Sequence, residues 1–176
     1  IFQGNAKITE AYIGKNVVSI GNYAFDNCYN MTKVTFEDGI VAMTIGSAAF
    51  ARCTKLAAIE LPACTSVIGP SAFESSGLTA FTIPKNLEIL HDNVLKGTQI
   101  TTIHIPAAVI SIGDGAFANS KLASITFADG DQPLSLGTLE NEDNKNGVFC
   151  GTALKELRVP DRITHIGAYA CYNLTT

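Results

Sequence analysis

Tryptophan is absent, and only 16% of the 176 residues are charged against 47% hydrophobic, a balance that excludes a disordered or highly charged chain. Basic residues are in the minority, with 12 Lys and Arg against 16 Asp and Glu and a net charge of −4. That leaves no electrostatic footprint for nucleic acid. No apolar run approaches the roughly 20 residues needed to cross a bilayer. Lys7 and Glu10 interrupt the first residues, so no leader-type apolar stretch begins the chain. The five cysteines form no Cys-x-x-Cys, which argues against a zinc site or a redox dithiol. No Gly-x-Ser-x-Gly, phosphate loop or pair of facing carboxylates is present, and no cofactor is expected. What the chain has instead is fifteen glycines and a strict internal rhythm.

The rhythm is carried by an Ile-Gly pair followed three residues later by a small residue and Phe. It reads Ile20-Gly21 with Ala24-Phe25, Ile45-Gly46 with Ala49-Phe50, Ile68-Gly69 with Ala72-Phe73, and Ile112-Gly113 with Ala116-Phe117. Two copies are degenerate: Leu90-His91 with Val94-Leu95, and Ile166-Gly167 with Ala170-Cys171. In another, Leu136-Gly137 is separated by an insertion from Val148-Phe149. The period is near 23 residues, the signature of a solenoid. A second block precedes each anchor, with apolar residues at its first, fourth and sixth positions. Examples are Met31/Val34/Phe36, Leu56/Ile59/Leu61 and Ile100/Ile103/Ile105. The last two lie two apart, the spacing of one face of a strand, and Pro62, Pro84, Pro106 and Pro160 close four of the blocks.

These features predict an α/β-type, leucine-rich-repeat-like solenoid of right-handed coils. One parallel strand per coil forms a seven-stranded sheet, with turns or short helices opposite. The Phe residues stack in one buried ladder. The Gly after each Ile serves a tight corner or a positive φ. Residues 1–176 make a single domain of about seven repeats, starting near 8, 31, 56, 78, 100, 122 and 154, with 1–7 as the tail of a preceding repeat. Neither end reads as a polar cap, so the chain is expected to be a piece of a longer array.

The string Leu-x-x-Ile-x-Ile-Pro, then Val-x-x-Ile-Gly, then Ala-Phe-x-x-Cys resembles the BspA-like class of leucine-rich repeats, most clearly from Ile100 to Ser120. His91 in place of Gly, Cys171 in place of Phe, and the insertion depart from that pattern. The resemblance implies a secreted or surface-displayed repeat protein, of the kind found in host-associated bacteria and some protist parasites, several of which are adhesins. It implies a host or cell-surface protein or glycan as partner. The alternatives are a rigid spacer presenting another domain and an accessory repeat region of a larger enzyme, and the missing catalytic motifs lead to the expectation of no catalysis in this chain.

From the residues themselves, the third and fifth positions of each block should face solvent. They are Glu10 and Tyr12, Lys33 and Thr35, Ala58 and Glu60, Ala80 and Thr82, Thr102 and His104, Ser124 and Thr126, and Glu156 and Arg158. This row is polar, mixed in sign and rich in Thr. It reads either as a well-behaved exposed sheet or as an elongated recognition surface, and Tyr12, Lys33, Thr35, Glu60, Thr82, His104, Thr126, Glu156 and Arg158 are its candidate binding residues. Cys28 and Cys53 follow equivalent Phe residues and should stack in neighbouring coils, as buried thiols rather than a disulfide; Cys171 takes a Phe slot and should be core. The insertion Glu140–Gly147 places Glu142, Asn144 and Asn146 like calcium ligands, but the closing Glu position falls on Ala153, so no metal is expected. Asn30-Met31-Thr32 and Asn173-Leu174-Thr175 have the glycosylation pattern, with Met31 and Leu174 expected in or near the core.

Overall fold

Each repeat folds into one coil of a parallel β-solenoid. The computed structural model describes residues 2–39, 41–138 and 146–175. Every coil has three sides: the block side, the Ile-Gly side and the Ala-Phe side.

The Ile-Gly side is the better ordered ladder, although the sequence pattern points to the block side. It carries β2 (Ser19–Ile20), β4 (Met43–Ile45) and β5 (Thr65–Ile68) in one parallel sheet, and β6 (Ile89–Leu90), β8 (Ser111–Ile112), β10 (Leu134–Leu136) and β11 (Ile163–Ile166) in a second. The Gly after β4, β5 and β8 donates its N–H to the apolar residue of the coil before: Gly46 to Ile20 and Gly69 to Ile45, both at 2.8 Å, and Gly113 to Leu90 at 2.7 Å. Glycine is needed here for close approach. A Cβ on Gly46 would lie 2.6 Å from Asn22 N, and one on Gly69 2.8 Å from Ser47 N. The row divides between β5 and β6, where His91 occupies the Gly position and makes no such bond among the described residues. On the Ala-Phe side the same two coils stay bonded, with Ser71 N–H donating to Asp92 O at 2.9 Å and Phe73 N–H to Val94 O at 3.0 Å.

The expected seven-stranded sheet on the block side does not form. Among the described residues, strand pairs on this side join only the first and second coils, through β1 (Glu10–Ile13) with β3 (Lys33–Phe36), and the fifth and sixth, through β7 (Thr102–Ile105) with β9 (Ser124–Phe127). The reason lies in the residue that follows each block. Glu37 donates to Ile13 O and Ala128 to Ile105 O, both at 2.9 Å, and these close the two ladders. In coils three, four, five and seven that slot holds Pro62, Pro84, Pro106 and Pro160, which have no N–H to give to the coil before.

No helix occurs among the described residues, which corrects the expectation of short helices opposite the strands. The Ala-Phe side is instead a stack of turns in which alternate N–H groups point along the stack. Ala48, Phe50 and Arg52 donate to Pro70, Ala72 and Glu74 of the next coil, while Ala49, Ala51 and Cys53 donate back within their own coil. This alternation requires left-handed residues, and among the described residues each coil but the sixth supplies one at each of two places. They fall two positions after the Gly (Tyr23, Ala48, Ser71, Asn93, Gly115, Tyr169) and two after the Phe position (Asn27, Arg52, Ser75, Gly97, Asn119, Gly151, Asn173). Gly137 alone among the anchor glycines has a positive φ, so most of them serve close approach and not a left-handed corner.

Phe25, Phe50, Phe73, Phe117 and Phe149 are all buried. They make two stacks instead of one. Phe2, Phe25, Phe50 and Phe73 lie parallel with centroids 5.3, 5.3 and 5.6 Å apart, Phe117 and Phe149 are 5.9 Å apart, and Leu95 takes the place between. Met31 is buried, but Leu174 is 38% exposed and Cys171 is exposed, which corrects the expectation of core positions for both.

Candidate binding face

The outward positions of the blocks do reach solvent. Tyr12 is 73% exposed, and Lys33, Glu60, Thr82, His104, Thr126, Glu156 and Arg158 are exposed; Thr35 is half-buried. Alternation along the strand requires this, since Ala11, Val34, Ile103 and Ile125 turn inward to the core.

Where the blocks pair, side chains meet across coils in register. Glu10 stands opposite Lys33 and Tyr12 opposite Thr35. His104 stands opposite Thr126, with Nδ1 2.9 Å from Oγ1. In the seventh coil the contact is within the block: the Arg158 guanidinium donates to Glu156 at 2.8 Å, and this bond raises the already high Arg158 pKa. The candidates are therefore distributed over the coils, in small local pairs. Glu60 and Thr82 lie on unpaired blocks between the two strand pairs.

Two hollows interrupt the face. One, of about 460 Å³, lies between residues 33–38 of the second coil and 58–63 of the third, where the ladder is open. The other, about 430 Å³, spans the fourth to sixth coils and is lined by hydroxyl-bearing Thr82, Thr102, Ser124 and Thr126 around His104, with Phe81 and Ile103 as its apolar floor. His91 and His165 belong to the Ile-Gly side, away from His104.

The thiols have no part in this face. Cys28 and Cys53 are buried and free, each donating from Sγ to the Phe carbonyl of the preceding coil, Phe2 O at 3.0 Å and Phe25 O at 3.2 Å. Burial pushes the Cys53 thiol up to about 12, and burial also raises Cys28, Cys150 and Cys171, so a reactive thiolate is disfavoured at each. Residues 140–145 of the insertion lie outside the described residues, Glu142 and Asn144 among them; of its final residues, Asn146 donates to Asn93 Oδ1 at 2.7 Å.

Two charged residues are structural in ways the repeat pattern did not reveal. Asp26 is buried, and its Oδ2 accepts from Arg52 at 2.6 Å and from Gln3 at 2.9 Å. Arg162 is buried too, and its guanidinium donates to the carbonyls of Pro106, Ala107 and Val109 at 3.2, 3.3 and 2.9 Å, two coils earlier. The Phe period offered a signal for the first, since Gln3, Asp26 and Arg52 cluster one or two places after successive Phe residues. Arg162 had none, because its partners are backbone.

A solved leucine-rich repeat protein from Bacteroides ovatus is 25% identical and matches with a TM-score of 0.63 over 98% of this chain and 49% of its own. A leucine-rich cell surface protein from Faecalibacterium prausnitzii is 24% identical, with a TM-score of 0.58 over 95% of this chain and 53% of its own. The chain thus spans about half the length of either. No curated protein matches. Six copies of the BspA-type leucine-rich repeat region match residues 1–123 and 142–176, and the chain belongs to that family.

Proposed function

We propose that this chain is a non-catalytic interaction module at the cell surface or outside the cell, and that its block side binds a protein or glycan partner. The observation that carries the proposal is the contrast within each block. Inward positions repeat as Ile, Val, Leu or Phe, whereas the exposed positions change from Tyr12 to Lys33, Glu60, His104 and Arg158 along the stack. Core packing demands the first and leaves the second free to carry specificity. The two hollows supply relief on an otherwise flat face. Family membership and the cell-surface description of the Faecalibacterium protein support the location.

An interface of standard size covers about 800 Å² of each partner, which spans several coils. Each coil then contributes a few contacts, and affinity grows with the number of coils engaged. The test is a binding screen of the chain against matrix proteins and glycans, followed by Glu60→Lys and Arg158→Glu on any hit. Both reversals should weaken binding at least tenfold. Binding that survives both, but is lost on deleting residues 140–147, assigns recognition to the insertion instead. A longer array that binds nothing in the screen makes the chain a rigid spacer presenting another domain.

A further inference from the structure

The hollow between the second and third coils has unpaired backbone on both walls. In β3, residues 33, 35 and 37 face β1: Lys33 donates to Thr9 O and Glu37 to Ile13 O. Parallel pairing sends alternate residues to opposite edges, so the N–H groups of Val34 and Phe36 point to the third coil. No strand lies there. Among the described residues the facing segment, 57–61, donates no backbone hydrogen bond and accepts one, from Thr79 of the coil beyond to Ala57 O. The two coils nevertheless meet on their other sides, through the pairing of β4 with β5 and the stack of Phe50 on Phe73 at 5.6 Å. The opening is therefore a wedge fixed by the fold and confined to the block side, with Pro62 at its end preventing closure.

We infer that this wedge receives an extended peptide segment of a protein partner, which adds a strand to the free edge of β3. This rests on the reading of the block side as a binding face, and it names both place and partner class. Backbone is the chemistry that fits. Val34 and Phe36 offer donors at the two-residue spacing of a strand, and main-chain pairing of this kind supplies affinity while alternate side chains supply specificity. The charge of the lips refines the choice. Asp38 and Glu60 line the hollow and make no ion pair among the described residues, whereas Lys33 is the single cation. The preferred segment is therefore apolar toward Val34 and Ile59 and basic on its outward side. Sugars lack a row of amides at strand spacing and would not satisfy this edge.

The probe is a synthetic hexapeptide of alternating valine and lysine, compared with a copy N-methylated at alternate amides and with a valine–glutamate copy. Titration is followed by amide NMR and hydrogen exchange on the intact chain. The valine–lysine peptide should slow exchange at Val34 and Phe36 by at least tenfold. N-methylation should weaken binding at least tenfold, and so should the glutamate copy. Glu60→Lys is an exposed change that leaves the core untouched, and it should weaken the lysine peptide similarly. Equal affinity of the N-methylated copy, or protection that leaves Val34 and Phe36 unchanged, overturns strand addition. No binding of any peptide at millimolar concentration does the same. If the peptide fails while a screened partner is still lost through Arg158→Glu, the binding face stands and only the peptide wedge falls.

Discussion

The block side and the Ile-Gly side are built from the same ingredients, yet only one forms a nearly continuous ladder. Both turn short runs of apolar residues to the core, and both repeat once per coil. The difference is one residue. After the Ile-Gly strand comes a glycine, whose N–H bonds to the coil before and whose missing Cβ permits the approach. After most blocks comes a proline, which can do neither. Exceptions on each side follow the same rule: Glu37 and Ala128 restore pairing on the block side, and His91 interrupts it on the other. Continuity in this solenoid is decided at the exit of each strand, and strand propensity decides less.

The largest expected effect checks that the aromatic stacks are common ground beneath both sides. Phe73→Ala and Phe117→Ala should each cost on the order of 3–5 kcal/mol in chemical denaturation, as for other fully buried aromatics. A loss under about 1 kcal/mol would remove the stacks from the core. Next comes close approach. Gly46→Ala should cost roughly 1–3 kcal/mol, since its Cβ would meet Asn22 N at 2.6 Å, whereas Gly14→Ala meets nothing closer than 3.9 Å and should be nearly neutral. Similar losses for the two would contradict the role given to the anchor glycines.

The comparison can also be inverted. Glu37→Pro turns the second coil into the proline type. It deletes the bond to Ile13 O, with an expected loss of about 1–2 kcal/mol and faster amide exchange along β3. His91→Gly should join the two sheets of the Ile-Gly side. The diagnostic is a newly protected amide at position 91, with stability changing by less than about 1 kcal/mol because the added bond is offset by glycine's greater chain entropy. The smallest effect concerns the third side. Tyr23 sits at φ 57, so Tyr23→Gly should stabilise by roughly 0.4–1 kcal/mol, read as a rise in the denaturation midpoint.

Much of this was legible in the residues. The Ile-Gly and Phe positions announced the coils, and the period placed Val34, Ile59 and Ile103 inside with Lys33, Glu60 and His104 outside. Even the two deviations at His91 and Leu95 mark where a sheet splits and a stack breaks. Cys171 misled, since it occupies a core slot in the pattern yet is exposed. The left-handed turns were hidden as well, because Tyr23, Ala48, Arg52 and Tyr169 are not residues that advertise a positive φ.

The sequence by itself determined the repeat, the inward and outward faces, and the family, because each depends on periodic side-chain chemistry that a single coil already encodes. Tertiary structure alone decided which side became the ladder, where the wedge opened, and which carbonyls Arg162 would reach. These are relations between coils. Groups 22 to 56 residues apart, such as the Lys15 N–H and the Glu37 carboxylate or the Arg162 guanidinium and Pro106 O, meet only once the stack is closed. Along the strand ladders, whether backbone groups bond depends on a missing N–H or a missing Cβ at the point of contact.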